Sequence, residues 1–383
     1  MAKQNQSASP SSTARDERAM RRAIARVPPP TITPPTVTPP TVPLPTVPRE
    51  LSMLSTDTAE SIASLEQDAR AKIQDYGSQS RQYDKLVKSG LLAFLTWLPE
   101  AGKTSLARDV IGASSEQQLY DVFVNLLTGI ASPMKSRSKA PSVVESPYSK
   151  SQAHVEIVAS TIDQPEKRDS SFATQLQLRD SYRCVITGQQ NTDQWIHEGE
   201  PGGVFHGPTE GAHIIPFAFA SWQGVPGAPR DVSSAWAVLY KCFPALRQIL
   251  SVEKINSLCN GLTLRDSVHS QFGKFTIALK PTDIENEYEV KTYKRYPPAD
   301  IATLHPHVRF MPNTEYEIPS RAILDTHWRM CEIFNASAMG ETVEQHIRDW
   351  EELRGSGCAV VKEDGSTDLA SLLEIALWGQ VSA

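Results

Sequence analysis

The feature that most constrains the fold is a short apolar strand that carries a histidine and is closed by proline. In Glu210-Gly211-Ala212-His213-Ile214-Ile215-Pro216 the β-branched pair after His213 favours extended backbone, and Pro216 has no N–H to continue a ladder. A partner strand lies far downstream. Asn260-Gly261 is a turn signal, and Leu262-Thr263-Leu264 can pair back on the first strand. Asp266 or Ser267 can then cap a helix that holds His269 in its first turn. Two strands and a helix are thus expected to bring His213 and His269 to one edge. After them, Phe275–Leu279 and Tyr288–Tyr293 read as a further hairpin.

The order histidine, asparagine, histidine, with the last two nine positions apart, resembles the HNH (His-Asn-His) nuclease family. The likeness extends to an upstream Arg-Cys-x-x-Thr-Gly (Arg183, Cys184, Thr187, Gly188), then Ala-His-Ile-Ile-Pro, Asn-Gly-x-x-Leu and His-x-x-Phe-Gly, as in the version common in fungal proteins. It spans roughly residues 165–295, about a third of the chain. The resemblance implies an α+β fold: a ββα-metal core with a long helical insertion, flanked by helical N- and C-terminal regions. It also implies a metal-dependent endonuclease in which His213 is the general base and His269 the metal ligand. Asn260 would hold the loop that orients His213, through side-chain to backbone hydrogen bonds.

The chemistry suits these residue types. Phosphodiester hydrolysis needs an activated water and a counter-charge for the leaving oxygen. An imidazole with an unperturbed pKa of about 6.5 is mostly unprotonated at neutral pH and can take the water's proton. A carbonyl accepting from its other nitrogen would fix its tautomer. Two departures from the family pattern bear on the metal. Ala212 stands directly before the base, where many members have Asp or His, and Gly273 stands four residues after His269, where related proteins often carry another ligand. Glu210, three before the base, is expected to reach the metal directly or through water. The expected ion is Mg²⁺, with Mn²⁺ as a substitute, bound mainly through waters and the substrate phosphate. Arg183, Arg265 and Lys274 flank the motif as candidate phosphate contacts, with DNA favoured over RNA as substrate. The alternative is a catalytically degenerate scaffold that binds nucleic acid or protein.

The long interval between His213 and Asn260 holds Trp222, a Gly/Pro turn (Gly224, Pro226, Gly227, Pro229) and a helix-like run over Ser233–Leu250, read as an insertion without new chemistry. Cys184 has no neighbouring cysteine to build a zinc knuckle, and His197 and His206 sit in a glycine-rich loop facing solvent. The net charge of −6 makes the whole molecule no polycation, so nucleic-acid contact must come from a local patch.

Around this core, residues 1–50 read as a disordered arm, Ser-rich, then basic, then proline-dense from Pro28 to Pro48. Extended polyproline II is the one regular form open to such a stretch, which suits a spacer or a site for a protein partner. Residues 51–131 read as a helical region, 132–164 as a linker, 165–295 as the nuclease domain and 296–383 as a helical C-terminal region. Gly102-Lys103-Thr104-Ser105 imitates the end of a phosphate-binding loop, but Trp97 occupies the place of its first glycine and no buried strand precedes it. No apolar run is long enough to span a bilayer. The five cysteines are odd in number and widely spaced, and the first residues lack a signal-like apolar core, so an intracellular protein of cytosol or nucleus is expected.

Overall fold

In the computed structural model, described for residues 51–135, 170–220, 228–312 and 315–345, a mostly helical chain surrounds small sheets. The described residues from Leu54 onward belong to one compact unit. The readings for residues 1–50, for Trp222 and the Gly224–Gly227 turn, and for the C-terminal helices beyond residue 345 lie outside the described residues. No helix among the described residues is long and apolar enough to cross a membrane.

Helix α1 (Leu51–Gln74) buries Ala69 and Ile73 at helical spacing, and α2 (Asp84–Trp97) buries Val87, Leu91, Phe94 and Leu95. Pro99 ends α2 and serves as N-cap of α3 (Glu100–Gly112), where its missing N–H costs nothing. The Gly-Lys-Thr-Ser run therefore lies inside a helix, not in a phosphate loop. A Cβ on Gly102 would stand 2.1 Å from the carbonyl oxygen of Cys242, so this glycine is there to let two elements touch. Ser115 caps α4 (Glu116–Leu126) by accepting from Gln118 N. A π-helical turn (Leu127–Ala131) follows, then α5 (Ser132–Lys135), so helix persists four residues into the stretch read as loop.

The centre is a two-stranded antiparallel ribbon. Strand β3 (Thr209–His213) pairs with β4 (Gly261–Arg265) in a register that sets Glu210 opposite Leu264 and His213 opposite Gly261. Two short strands precede it, β1 (Gln190–Asn191) and β2 (His206–Gly207), paired in parallel around a small helix, α7 (Thr192–His197). Arg183–Gly188 is thus a turn with one bridge from Arg183 to Gln190, and His197 and His206 lie in regular elements, not in loop. Helix α6 (Ser170–Arg179) covers one face of the ribbon. The insertion supplies α8 (Ala228–Cys242), which packs on α3 and on the π-turn. Helix α9 (Asp266–Gly273) follows β4 directly. The expected hairpin is present as β5 (Ile277–Pro281) and β6 (Glu287–Thr292), with β7 (His307–Arg309) added as a third strand. Helix α10 (Arg321–Ser337) lies between β5 and α2, joining the C-terminal and N-terminal parts through one core.

Candidate active site

Asn260 is fully buried, and its side chain makes three hydrogen bonds to backbone. Oδ1 accepts from Ile215 N at 2.8 Å, while Nδ2 donates to Ile215 O at 3.1 Å and to Ile255 O at 2.9 Å. Its own carbonyl accepts from Ile214 N at 2.9 Å. An amide is the side chain for this task, since it offers an acceptor and two donors in one plane. It ties the segment just after His213 to the segment just before Asn256.

The half-buried His213 ring stacks on Phe172 of α6 (centroids 4.2 Å, interplanar angle 13°) and leans on Phe217 (5.6 Å). Its Nε2 lies 3.1 Å from Asn256 Oδ1. Helix α6 can come this close because the ribbon has glycine beneath it. A Cβ on Gly211 would meet Ala173 at 2.9 Å, and one on Gly261 would meet Phe172 at 2.6 Å. The last turn of α6 is locked by a buried ion pair. Arg179 Nε reaches Asp180 Oδ1 at 2.8 Å, and the same guanidinium donates to Leu258 O and Gly261 O. Asp180 accepts from Thr263 N at 2.9 Å, so the outer edge of β4 is covered and the charges are satisfied.

On the other side, His269 Nδ1 lies 2.6 Å from Glu210 Oε2, with both side chains partly in solvent. Alternation along β3 explains the division. Glu210 and Ala212 face α9, whereas Gly211 and His213 face α6. An odd offset of three residues sends Glu210 and His213 to opposite faces. Glu210 reaches His269 itself, while His213 is held by Phe172, Phe217 and Asn256.

The C-terminal end of α9 is held from outside. His327 of α10 is sandwiched between Phe272 (3.7 Å, 2°) and Phe275 (4.7 Å, 21°), and its Nε2 lies 3.2 Å from Phe272 O. Burial pushes this imidazole down to about 3, so it is neutral and Nε2–H donates. Lys135 donates to Lys274 O at 3.2 Å and to Glu344 Oε1 at 2.5 Å; burial lowers its pKa against the pull of Glu344. A neutral donor and a cation thus stand at the C-terminal end of the helix, where its dipole favours positive charge.

Of the candidate phosphate contacts, Arg183 is exposed and donates to Gly188 O at 3.0 Å. Arg265 has a buried Nε without a hydrogen-bond partner, 3.7 Å from Asp266 Oδ1. Lys274 is half-buried at the C-cap of α9. Sequence reading missed Phe172, Asn256, Arg179, Asp180 and Lys135 as parts of this site, while His327 was expected in a surface or packing role. A helical period in Phe172, Leu176 and Arg179 was the available signal for α6; Asn256 left none.

At Glu210 and His269 the donors are one imidazole nitrogen and one carboxylate. Among the described residues no group of three or more His, Cys, Asp or Glu gathers. The carboxylate that accepts from Nδ1–H fixes the His269 tautomer and turns Nε2 outward as a lone pair. That set fits a hard ion held largely by water and phosphate oxygens, not a closed protein cage. A family model described as HNH endonuclease matches residues 184–280. No curated protein and no solved structure matches the chain.

Proposed function

Because residues 184–280 are an HNH endonuclease domain, we propose that this chain hydrolyses phosphodiester bonds of nucleic acid, with His213 as general base and Asn260 as its anchor. His269 through Nε2, with Glu210 behind it, would hold a divalent cation, Mg²⁺ or Mn²⁺. When bound, that ion supplies positive charge to the non-bridging and leaving oxygens. The protein's own groups do the rest. His213 takes a proton from water, Asn260 keeps the following turn from shifting, and Glu210 keeps His269 in one tautomer. An in-line displacement puts the attacking and leaving oxygens on opposite sides of phosphorus. Arg183, Arg265 and Lys274 are the proposed phosphate contacts, and DNA is the first substrate to test.

The observation that carries this reading is the Glu210–His269 pair. Their side chains are 57% and 35% exposed, a setting in which an ion pair adds little to stability. Such a pair contributes little to the fold, and that supports a chemical use for it. Nicking of supercoiled plasmid in Mg²⁺ or Mn²⁺, with His213→Ala as control, tests the reading. The wild type should nick and the variant should not; equal nicking by both removes His213 as base. Ala212 and Gly273, together with the absence of a three-ligand group among the described residues, favour one alternative, a scaffold that binds without cutting. In that case plasmid is bound but stays supercoiled.

A further inference from the structure

The insertion between His213 and Asn260 does more than lengthen the chain. Its last turn delivers Asn256 to the ring of His213, and Asn260 bonds Ile255 O next to it and Ile215 just past His213. One buried amide therefore fixes the spacing of both arms. Phe172 and Phe217 fix the plane of the imidazole, so rotation away from Asn256 would break the stack.

We infer that Asn256 is a positioning residue for His213: its side-chain carbonyl takes the Nε2 proton and leaves Nδ1 as the nitrogen that receives a proton from water. A neutral imidazole carries one N–H, so an acceptor 3.1 Å from Nε2 selects the Nε2–H form. The water's O–H bond breaks, its proton goes to Nδ1, and the hydroxide electron pair forms the new P–O bond as the bond to the leaving oxygen breaks, the leaving alkoxide taking its proton from solvent water. The inference rests on the proposed role of His213, but the tautomer itself does not depend on activity. The elements around the ring bring other charges. Among the described residues these include the Arg179–Asp180 pair at the end of α6, closed on itself, Glu253 and Lys254 in the turn, and Arg265 at the end of β4. Of these Glu253 already accepts from Ser251 Oγ. Among the described residues, Nε2 meets the uncharged amide of Asn256.

The test is ¹⁵N NMR of the full chain labelled at histidine ring nitrogens, without substrate or metal, with His213→Gln to assign the signals. Wild type should show His213 protonated at Nε2. Asn256→Leu should populate both tautomers and slow plasmid nicking roughly tenfold, the loss of one hydrogen bond of about 1.4 kcal/mol. Asn256→Asp, which can only accept, should keep the Nε2–H form. A wild-type ring protonated at Nδ1, as a reversed amide would select, overturns the inference. So does an Asn256→Leu protein whose tautomer is unchanged. Should Asn256→Leu fail to fold, loss of the Nε2–H form in Asn256→Asp overturns it instead. A wild type with the expected tautomer but no nicking sinks the nuclease reading and leaves this one standing.

Discussion

Asn260→Ala removes an amide that holds three buried backbone groups: Ile215 N, Ile215 O and Ile255 O. Ile215, Ile255 and Asn260 are all fully buried, so water cannot replace the lost partners without opening the turn. At about 1–2 kcal/mol per unpaired buried group, the substitution should destabilise the fold by roughly 3–6 kcal/mol. Whole domains are stable by about 5–15 kcal/mol, so a large fraction is at stake. With a urea m-value of about 3 kcal/mol per M, the midpoint should fall by about 1–2 M. Asn260→Asp should fare worse than Ala at neutral pH. It keeps the acceptor for Ile215 N but sets a negative charge against the Ile215 and Ile255 carbonyls. Urea unfolding followed by tryptophan fluorescence reads the effect, since Trp236 is buried in the same core. A midpoint for Asn260→Ala within about 0.3 M of wild type would refute the reasoning, because no rearrangement short of opening the turn satisfies those groups.

Other consequences are read more simply. Glu210→Gln removes the carboxylate that orients His269, and nicking at limiting Mg²⁺ should fall about 10- to 100-fold while unfolding stability stays within about 0.5 kcal/mol; an unchanged metal dependence refutes that role. His269→Ala should lose activity that raised metal concentration partly restores, and rescue of His213→Ala by the same treatment would contradict the assigned roles. His327 has its folded pKa depressed to about 3 from an ordinary 6.5, so between those values the unfolded chain binds the extra proton. Stability contributed by the neutral ring is present above about pH 6.5 and drains by about 1.4 kcal/mol per unit as pH falls toward 3. His327→Gln should show a flatter stability profile there, and an equal slope would reject the assignment. Plasmid affinity should drop steeply between about 50 and 200 mM salt if phosphates dominate contact, and a flat response would argue against nucleic acid.

The sequence by itself determined the local chemistry. The strand leading to His213, the Leu262-Thr263-Leu264 strand and the short helix carrying His269 follow from backbone propensity within a few residues. So does helix through Gly102-Lys103-Thr104-Ser105, since Pro99 can start a helix and a phosphate loop lacks its glycine. By contrast, the β-branched Ile214-Ile215 pair lies past the strand's end, and Gly261 is extended strand, not turn. The amide at Asn260 was legible because Ile215 belongs to the same motif, whereas its bond to Ile255 O in the insertion was not. What only the tertiary structure decided is which distant groups stand around that motif. Phe172 and Asn256 approach His213 from opposite directions in sequence. His327 and Lys135 close the end of α9 from the two sides of the chain, and the insertion ends as a contact to the imidazole instead of a mere spacer. None of these carries a local signal, because a side chain's partner across long loops is fixed by packing and not by its neighbours. The division of Glu210 and His213 between two faces lies in between. Strand alternation implies it from an odd offset, but only the paired register, with His213 opposite Gly261 and α6 laid on that side, shows which group each face meets.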